Sequence, residues 1–187
     1  MDARAHGELL MPSIREVLAA AGASMRDLDA VVCGAGPGPF TGLRVGMVTA
    51  AALGDALSLP MYPVGSLDAI AYRAGTGTPL LVVTDARRRE VYWARYDGSG
   101  GRVAGPHVDR PGDVPLAGVP RVAGAADALG LPALPAVVPP RHPDPAALVA
   151  VAAAAVRAHA PPGPLTPLYL RRPDALEPGP LKRVTPV

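Results

Sequence analysis

The stretch Gly34-Ala35-Gly36-Pro37-Gly38-Pro39-Phe40-Thr41-Gly42-Leu43-Arg44-Val45-Gly46 joins an apolar run to a helical pattern. Before it, Leu28 to Cys33, with Val31 and Val32, has the length and composition of a buried strand. After it, the spacing predicts a helix from about Thr41 to Leu57, with Thr41 as candidate N-cap. Backbone N–H groups in such a loop, together with the helix N-terminus, suit an anion. That makes Gly36, Gly38, Thr41 and Gly42 candidate cofactor-contacting residues. Three details oppose this reading. There is no Gly-Lys-Ser/Thr, and glycines at 36, 38 and 42 do not fit G-x-G-x-x-G. Pro37 and Pro39 also remove two N–H donors from the loop. The alternative, which the residues favour, is a stiff strand-to-helix turn whose small side chains admit close packing.

Working outward, Leu9, Leu10, Ile14, Val17 and Leu18 fall on one side of a predicted helix over 6–21, which Gly22 stops. Met61 to Val64 reads as a short strand, and Ser66 as the cap of a helix reaching about Tyr72. Gly46, Ala50 and Gly54 recur every four residues on the predicted second helix. Glycine in a helix costs about 1 kcal/mol relative to alanine, so two of them ask for a packing reason. Internal packing and a subunit interface both supply one.

Gly75-Thr76-Gly77-Thr78 marks the expected boundary between a first unit over 1–77 and a second over 78–171, with a Pro-rich tail over 172–187. The second unit opens with adjacent strands. Pro79 to Thr84 is of buried type. Glu90 to Tyr96 alternates, with Val91, Trp93 and Arg95 on one face and Tyr92, Ala94 and Tyr96 on the other. Arg102 to Val108, Val119 to Ala123 and Pro167 to Leu170 are further predicted strands. Asp144-Pro145 begins a helix expected to reach His159. The first unit opens directly with a helix, so a duplicated architecture would lack three strands in its first copy.

Composition narrows the function classes. The 187 residues are 49% hydrophobic and 18% charged, an ordinary globular balance that disfavours disorder of the whole chain. No run approaches the roughly 20 apolar residues of a membrane span, and no secretory h-region follows Met1, so a cytoplasmic, membrane-free protein is expected. The net charge is only +2, which is no electrostatic footprint for nucleic acid. Of the 18 basic residues, Lys182 alone is lysine; with abundant Ala, Gly and Pro this reads as GC-rich coding bias. A single cysteine, Cys33, excludes an intramolecular disulfide and a cysteine-based zinc site.

Chemistry-bearing constellations are scarce. His6, His107, His142 and His159 form no ligand pair of the H-E-x-x-H kind, and no serine lies in G-x-S-x-G. Asp85 ends a strand, where it either holds a metal or caps the turn into Arg87-Arg88-Arg89; the turn is favoured, with the arginines as a solvated hairpin loop. Cys33 reads as a packed small hydrophobe.

The run Gly36 to Gly46 closely resembles the signature of the TsaB (YeaZ) family. Asp85-Ala86-Arg87 with Glu90-Val91-Tyr92-Trp93, Pro167-Leu168-Tyr169-Leu170-Arg171 and His6-Gly7-Glu8-Leu9-Leu10 resemble its later and earlier motifs, in the same order. The resemblance implies an α/β, actin-like (sugar kinase/Hsp70/actin) fold of two lobes. It implies a role in forming N6-threonylcarbamoyladenosine at position 37 of tRNAs that read codons beginning with A. In that role the chain would be a non-catalytic subunit, with a TsaD-like protein transferring the threonylcarbamoyl group, a TsaE-like ATPase accompanying them, and tRNA engaged indirectly. By resemblance the first two helices pair with the TsaD-like subunit or with a second copy, which names Leu10, Ile14, Val17, Gly46, Ala50 and Gly54 as interface residues.

Members of that family begin with a strand and hairpin before the first helix, whereas this chain begins at the helix. A first lobe truncated at its N-terminus, and a native start further upstream, are therefore expected. The Leu28–Cys33 strand would otherwise pair with the missing one, and its edge would be left open. The same omission removes a phosphate-facing loop, so weak or absent ATP/ADP binding is expected. Two rival readings are a stand-alone actin-fold ATPase or kinase, and a metal-dependent glycoprotease of the M22 type; neither has a supporting carboxylate or ligand cluster.

Overall fold

The structure is a computed structural model that describes residues 6–130 and 135–171. The expected Pro-rich tail lies outside the described residues. In chain order the elements are α1 (His6–Ala20), β1 (Val31–Gly36), α2 (Phe40–Leu57), β2 (Met61–Gly65) and α3 (Ser66–Ala74). They continue with β3 (Leu80–Arg87), β4 (Glu90–Tyr96), β5 (Arg102–Asp109), β6 (Arg121–Gly124), β7 (Ala136–Val138) and α4 (Pro145–Arg157). β1 and β2 form a parallel pair. The other strands form one sheet in the order β5-β4-β3-β6-β7, antiparallel through β3-β4-β5 and parallel through β3-β6-β7. Each sheet thus holds a parallel pair, and among the described residues only the second adds an antiparallel meander. The asymmetry expected between the two halves of the chain is visible in that difference.

Side-chain alternation builds the layers. On β3, Leu80 and Val82 face one core while Leu81 and Val83 face the other. β4 repeats this, with Tyr92, Ala94 and Tyr96 on the first side and Val91 and Trp93 on the second. A strand buried on both faces needs apolar residues at every position, as Leu80 to Val83 provide. Leu67, Ile70 and Ala71 of α3 close the first core. α4 closes the β1–β2 sheet through Leu148, Ala152, Ala155 and Val156, packed on Val32, Tyr62 and Val64. α3 and α4 pack on each other, so they lie between the two sheets. On the far face of the first sheet sits α2, burying Met47, Ala50 and Gly54, and α1 packs outside α2.

α4 starts as expected: Asp144 is its N-cap and accepts a hydrogen bond from the Ala147 N–H at 2.9 Å, with Pro145 at the first helical position. It stops at Arg157, two residues before the expected end, because His159 turns left-handed at φ 46°. Other boundaries also move. β1 spans Val31–Gly36 rather than Leu28–Cys33, because Gly34 and Gly36 pair with Val64 and Gly65 of β2. Thr41 does not cap α2; the cap position is Pro39, without a side-chain bond. The cap position of α3 is Gly65, not Ser66, and a Cβ at Gly65 would meet the Asp68 carboxylate. Residues 167–170 form no strand, for the Tyr169 N–H turns back to the Pro167 carbonyl at 3.0 Å, and β7 was not anticipated at all. Among the described residues no helix is long and apolar enough to cross a membrane.

Asp68 ties α3 to the second sheet. It accepts the Tyr96 hydroxyl at 2.8 Å and the Arg102 Nη1 at 3.0 Å. Burial, and then the Asp68 carboxylate, hold the Tyr96 hydroxyl well above the ordinary tyrosine range. A folded pKa raised above the unfolded one contributes stability that is complete below the unfolded value of about 10 and lost as pH rises beyond it. Tyr96→Phe is therefore expected to lower urea-unfolding stability by about 1 kcal/mol at neutral pH. That deficit should shrink as the pH passes about 10. A deficit that stays constant into that range would refute this account.

Candidate functional site at the cleft between the sheets

After α4, residues 161–171 form neither helix nor strand and strap the two sheets together. It leaves the helix where the Tyr62 hydroxyl donates to the Ala160 carbonyl at 2.9 Å. The Leu168 N–H then donates to the Ala35 carbonyl at 2.8 Å, on β1. Gly36 must be small here: its φ is +96°, and a Cβ would meet Leu43 Cδ2 at 3.1 Å and the Leu168 carbonyl at 3.5 Å. One residue on, the Tyr169 hydroxyl accepts from Arg44 Nε at 2.8 Å, and its ring lies 5.2 Å from that of Phe40. The Arg44 guanidinium stands 4.0 Å over the Phe40 ring. At the far end, Arg171 donates to the Ala86 carbonyl at 3.4 Å and pairs with Glu90 at 3.3 Å. That pair lacks hydrogen-bond geometry at the buried Glu90 Oε2, so charge attraction alone compensates this oxygen.

These contacts frame a cleft of about 940 Å³. Its walls come from Gly38, Pro39 and Phe40 at the start of α2, Asp85 to Arg87 at the end of β3, and Leu168 to Arg171 of the strap. Three aromatic rings (Phe40, Tyr92, Tyr169) and three guanidinium groups (Arg44, Arg87, Arg171) face one lining carboxylate, Asp85. Such a wall suits flat, electron-rich groups carrying negative charge. Asp85 accepts the Arg87 N–H at 2.7 Å, the turn-capping role expected of it.

The candidate residues scatter around this cleft. Gly38 lines it with open space where a Cβ would stand. Gly36 is buried under the strap, Thr41 is exposed, and Gly42 is half-buried in the first turn of α2. On the helices, Leu10 and Ile14 are half-buried and Val17 is exposed. Gly46, Ala50 and Gly54 do not make one outer face. Ala50 and Gly54 are buried, and a Cβ on Gly54 would lie 2.6 Å from Met61 Cγ; only Gly46 has open space. Cys33 is buried, and burial pushes its thiol up. Among the described residues no three His, Cys, Asp or Glu side chains converge as a metal site would require.

Phe40, Arg44 and Tyr169 belong to the recognised motifs, but spacing and periodicity give them no role. The structure joins them across 125 positions of chain. It also leaves Leu9, Val17 and Val48 exposed on α1 and α2, of which Leu9 and Val48 were not singled out as contact residues. The one available signal was that Phe40, the chain's single phenylalanine, directly follows the Gly-Pro-Gly-Pro run.

A model of the family described as TsaD: tRNA N6-adenosine threonylcarbamoyltransferase matches residues 1–157. The chain belongs to this family. Within it, the likeness runs to the TsaB (YeaZ) members. The TsaB tRNA threonylcarbamoyladenosine biosynthesis protein of Escherichia coli (strain K12) is 38% identical over 96 residues, half of this chain and 42% of that protein. YeaZ from Pseudomonas aeruginosa superposes with a TM-score of 0.76 at 28% identity, covering 88% of this chain and 85% of that one. An uncharacterised protein of Mycobacterium tuberculosis (strain H37Rv) is 57% identical over 175 residues, 94% of this chain and 79% of its own length. The likeness to YeaZ makes the fold actin-like, and the cleft lies between its two sheets. The expected family resemblance and fold class hold.

Proposed function

We propose that this chain serves the formation of N6-threonylcarbamoyladenosine at position 37 of tRNA, as a non-catalytic subunit that binds a TsaD-like catalytic partner. Membership of the family carries this reading, together with the TsaB name of relatives that share its motifs. The binding surface would be formed by α1 and α2. α1 has no buried residue among those described, and its apolar stripe is only half covered by α2. Leu9, Val17 and Val48 are left 52%, 68% and 68% exposed, a large apolar outlay for a surface meant only for water. A second copy of the chain would use the same helices in the absence of the partner. A TsaE-like ATPase would join the assembly in the cytoplasm. The chain itself would bind ATP or ADP weakly or not at all, since Pro37 and Pro39 take two donors from the glycine-rich loop before α2.

The test is the N6-threonylcarbamoyladenosine content of bulk tRNA, measured by nucleoside mass spectrometry. Cells depleted of their own TsaB-like protein receive this chain. Restored modification is expected, with no ATP turnover by the purified chain alone. Unrestored modification in cells that contain the folded chain would overturn the reading.

A further inference from the structure

Three guanidinium groups line the cleft, and two of them have a carboxylate beside them. Arg171 pairs with Glu90 at 3.3 Å, and Arg87 stands 3.8 Å from Asp85. Among the described residues Arg44 has no such counter-ion. Its Nε donates to the Tyr169 hydroxyl at 2.8 Å. Its guanidinium carbon lies 4.0 Å from the centre of the Phe40 ring and 5.7 Å from that of Tyr169. Ring faces attract a cation but leave its charge in place. The cleft therefore carries one unbalanced positive charge, on a side chain whose position two rings and a hydroxyl fix.

The chemistry of that side chain says what balances it. Nε is spent on Tyr169, while among the described residues Nη1 and Nη2 make no hydrogen bond. A guanidinium held in this way offers two N–H groups as a fork, which matches the two oxygens of a carboxylate. A single unbalanced charge calls for a monoanion. A phosphate monoester carries about −1.5 to −2 at pH 7, and a polyphosphate more. The loop before α2 also withholds two N–H donors at Pro37 and Pro39 that a phosphate would use. The other walls specify the rest of the ligand. Tyr92, Leu168 and Leu170 line the cleft and are apolar over most of their surface. Its 940 Å³ lies within the range of about 300–1,000 Å³ typical of small-molecule pockets, with room for a fused ring as well as an acid group.

We propose that the cleft binds a small carboxylic acid with a flat, apolar body, its carboxylate on the Arg44 fork and its ring against Tyr92 and Leu170. Tyr169 is the positioning residue, because its hydroxyl takes Nε and so turns the Nη1–Nη2 end toward the ligand. This goes beyond the proposed function and does not rest on it.

The experiment titrates the full chain with 2-naphthoate by isothermal calorimetry. A second titration uses 2-naphthamide, which keeps the ring and lacks the charge. The acid is expected to bind at least about 10-fold more tightly than the amide. Arg44→Gln should weaken the acid by about 10-fold or more and leave the amide unchanged. Arg44→Lys should recover only part of that loss, because an ammonium is a point charge without the fork. Tyr169→Phe keeps the ring and drops the hydroxyl, so it should weaken the acid about 5-fold and spare the amide. Arg44 is exposed, so the melting temperatures of its variants should match the parent's. The comparison of acid with amide needs the parent chain alone. Equal affinity for the two, or no binding of the acid at about 1 mM, would overturn the proposal. So would unchanged affinity for the acid in Arg44→Gln, or tighter binding of AMP or ADP than of the acid, which would make this a phosphate site.

Discussion

Replacing Gly124 with alanine is expected to remove about 4 kcal/mol or more of stability, a large share of the usual total of about 5–15 kcal/mol. Gly124 ends β6 in register with Val83 of the central strand β3. Its φ is +89°, and a Cβ there would run into the Val83 carbonyl oxygen and lie 3.0 Å from the carbonyl carbon. Neither strand can yield. The Ala125 N–H donates to that same carbonyl at 2.7 Å, the Gly124 N–H donates to Pro140 at 3.0 Å, and Val83 is completely buried. The penalty therefore combines a left-handed backbone with a clash against main chain in the middle of a sheet. Gly118 provides the control. Its φ is +70° but a Cβ would meet nothing within 4 Å, so Gly118→Ala should lose only the conformational penalty of about 1–2 kcal/mol. Urea unfolding followed by the fluorescence of Trp93, the only tryptophan, separates the two. Equal stability of the two variants would refute the argument.

The largest functional effect is expected from Val17→Glu combined with Val48→Glu. These valines stand on α1 and α2, each 68% exposed, and touch no core. The chain's own stability should change by no more than about 0.5 kcal/mol, as for ordinary surface positions. If the two helices bind a TsaD-like subunit, two carboxylates placed in that contact lose their water without a partner. Hot-spot losses of 2 kcal/mol or more correspond to at least about 30-fold in affinity, and the pair should exceed about 100-fold. Calorimetric titration with the partner reads this directly, and N6-threonylcarbamoyladenosine in tRNA should fall with it. Unchanged partner affinity would move the interface away from α1 and α2. Gly54 would be a poor choice for the same purpose. Its Cβ would press on Met61, so Gly54→Ala would injure the fold before it reported on any partner.

The contrast between Val17 and Gly54 shows where reading from the chain succeeds. Both were expected at an interface. Periodicity places each on a helix, but it cannot say which side of that helix meets the sheet. Spacing of small residues is equally satisfied by a neighbouring strand and by a neighbouring subunit, and here Met61 of β2 occupies the space. The strands tell the same story from the other side. Glu90–Tyr96 was legible to the residue because its two faces carry different side chains. β7 was not, since Ala136-Val137-Val138 is three residues long and exists only because Val122 and its neighbours offer an edge to pair with.

By itself the sequence determined the properties that repeat along the chain. These are the alternation that buries β3 and β4 on both faces, the Asp144-Pro145 start of α4, the glycine and proline punctuation, and the motif order that marks the family. Each depends on interactions within a few residues, which chain geometry enforces wherever the pattern occurs. Tertiary structure alone decided that Leu168 meets Ala35, that Tyr169 reaches Arg44, and that three successive arginines are held left-handed. Those contacts join residues far apart in sequence, or set a local conformation against its residues' own preference, so only the packing of the whole chain selects them.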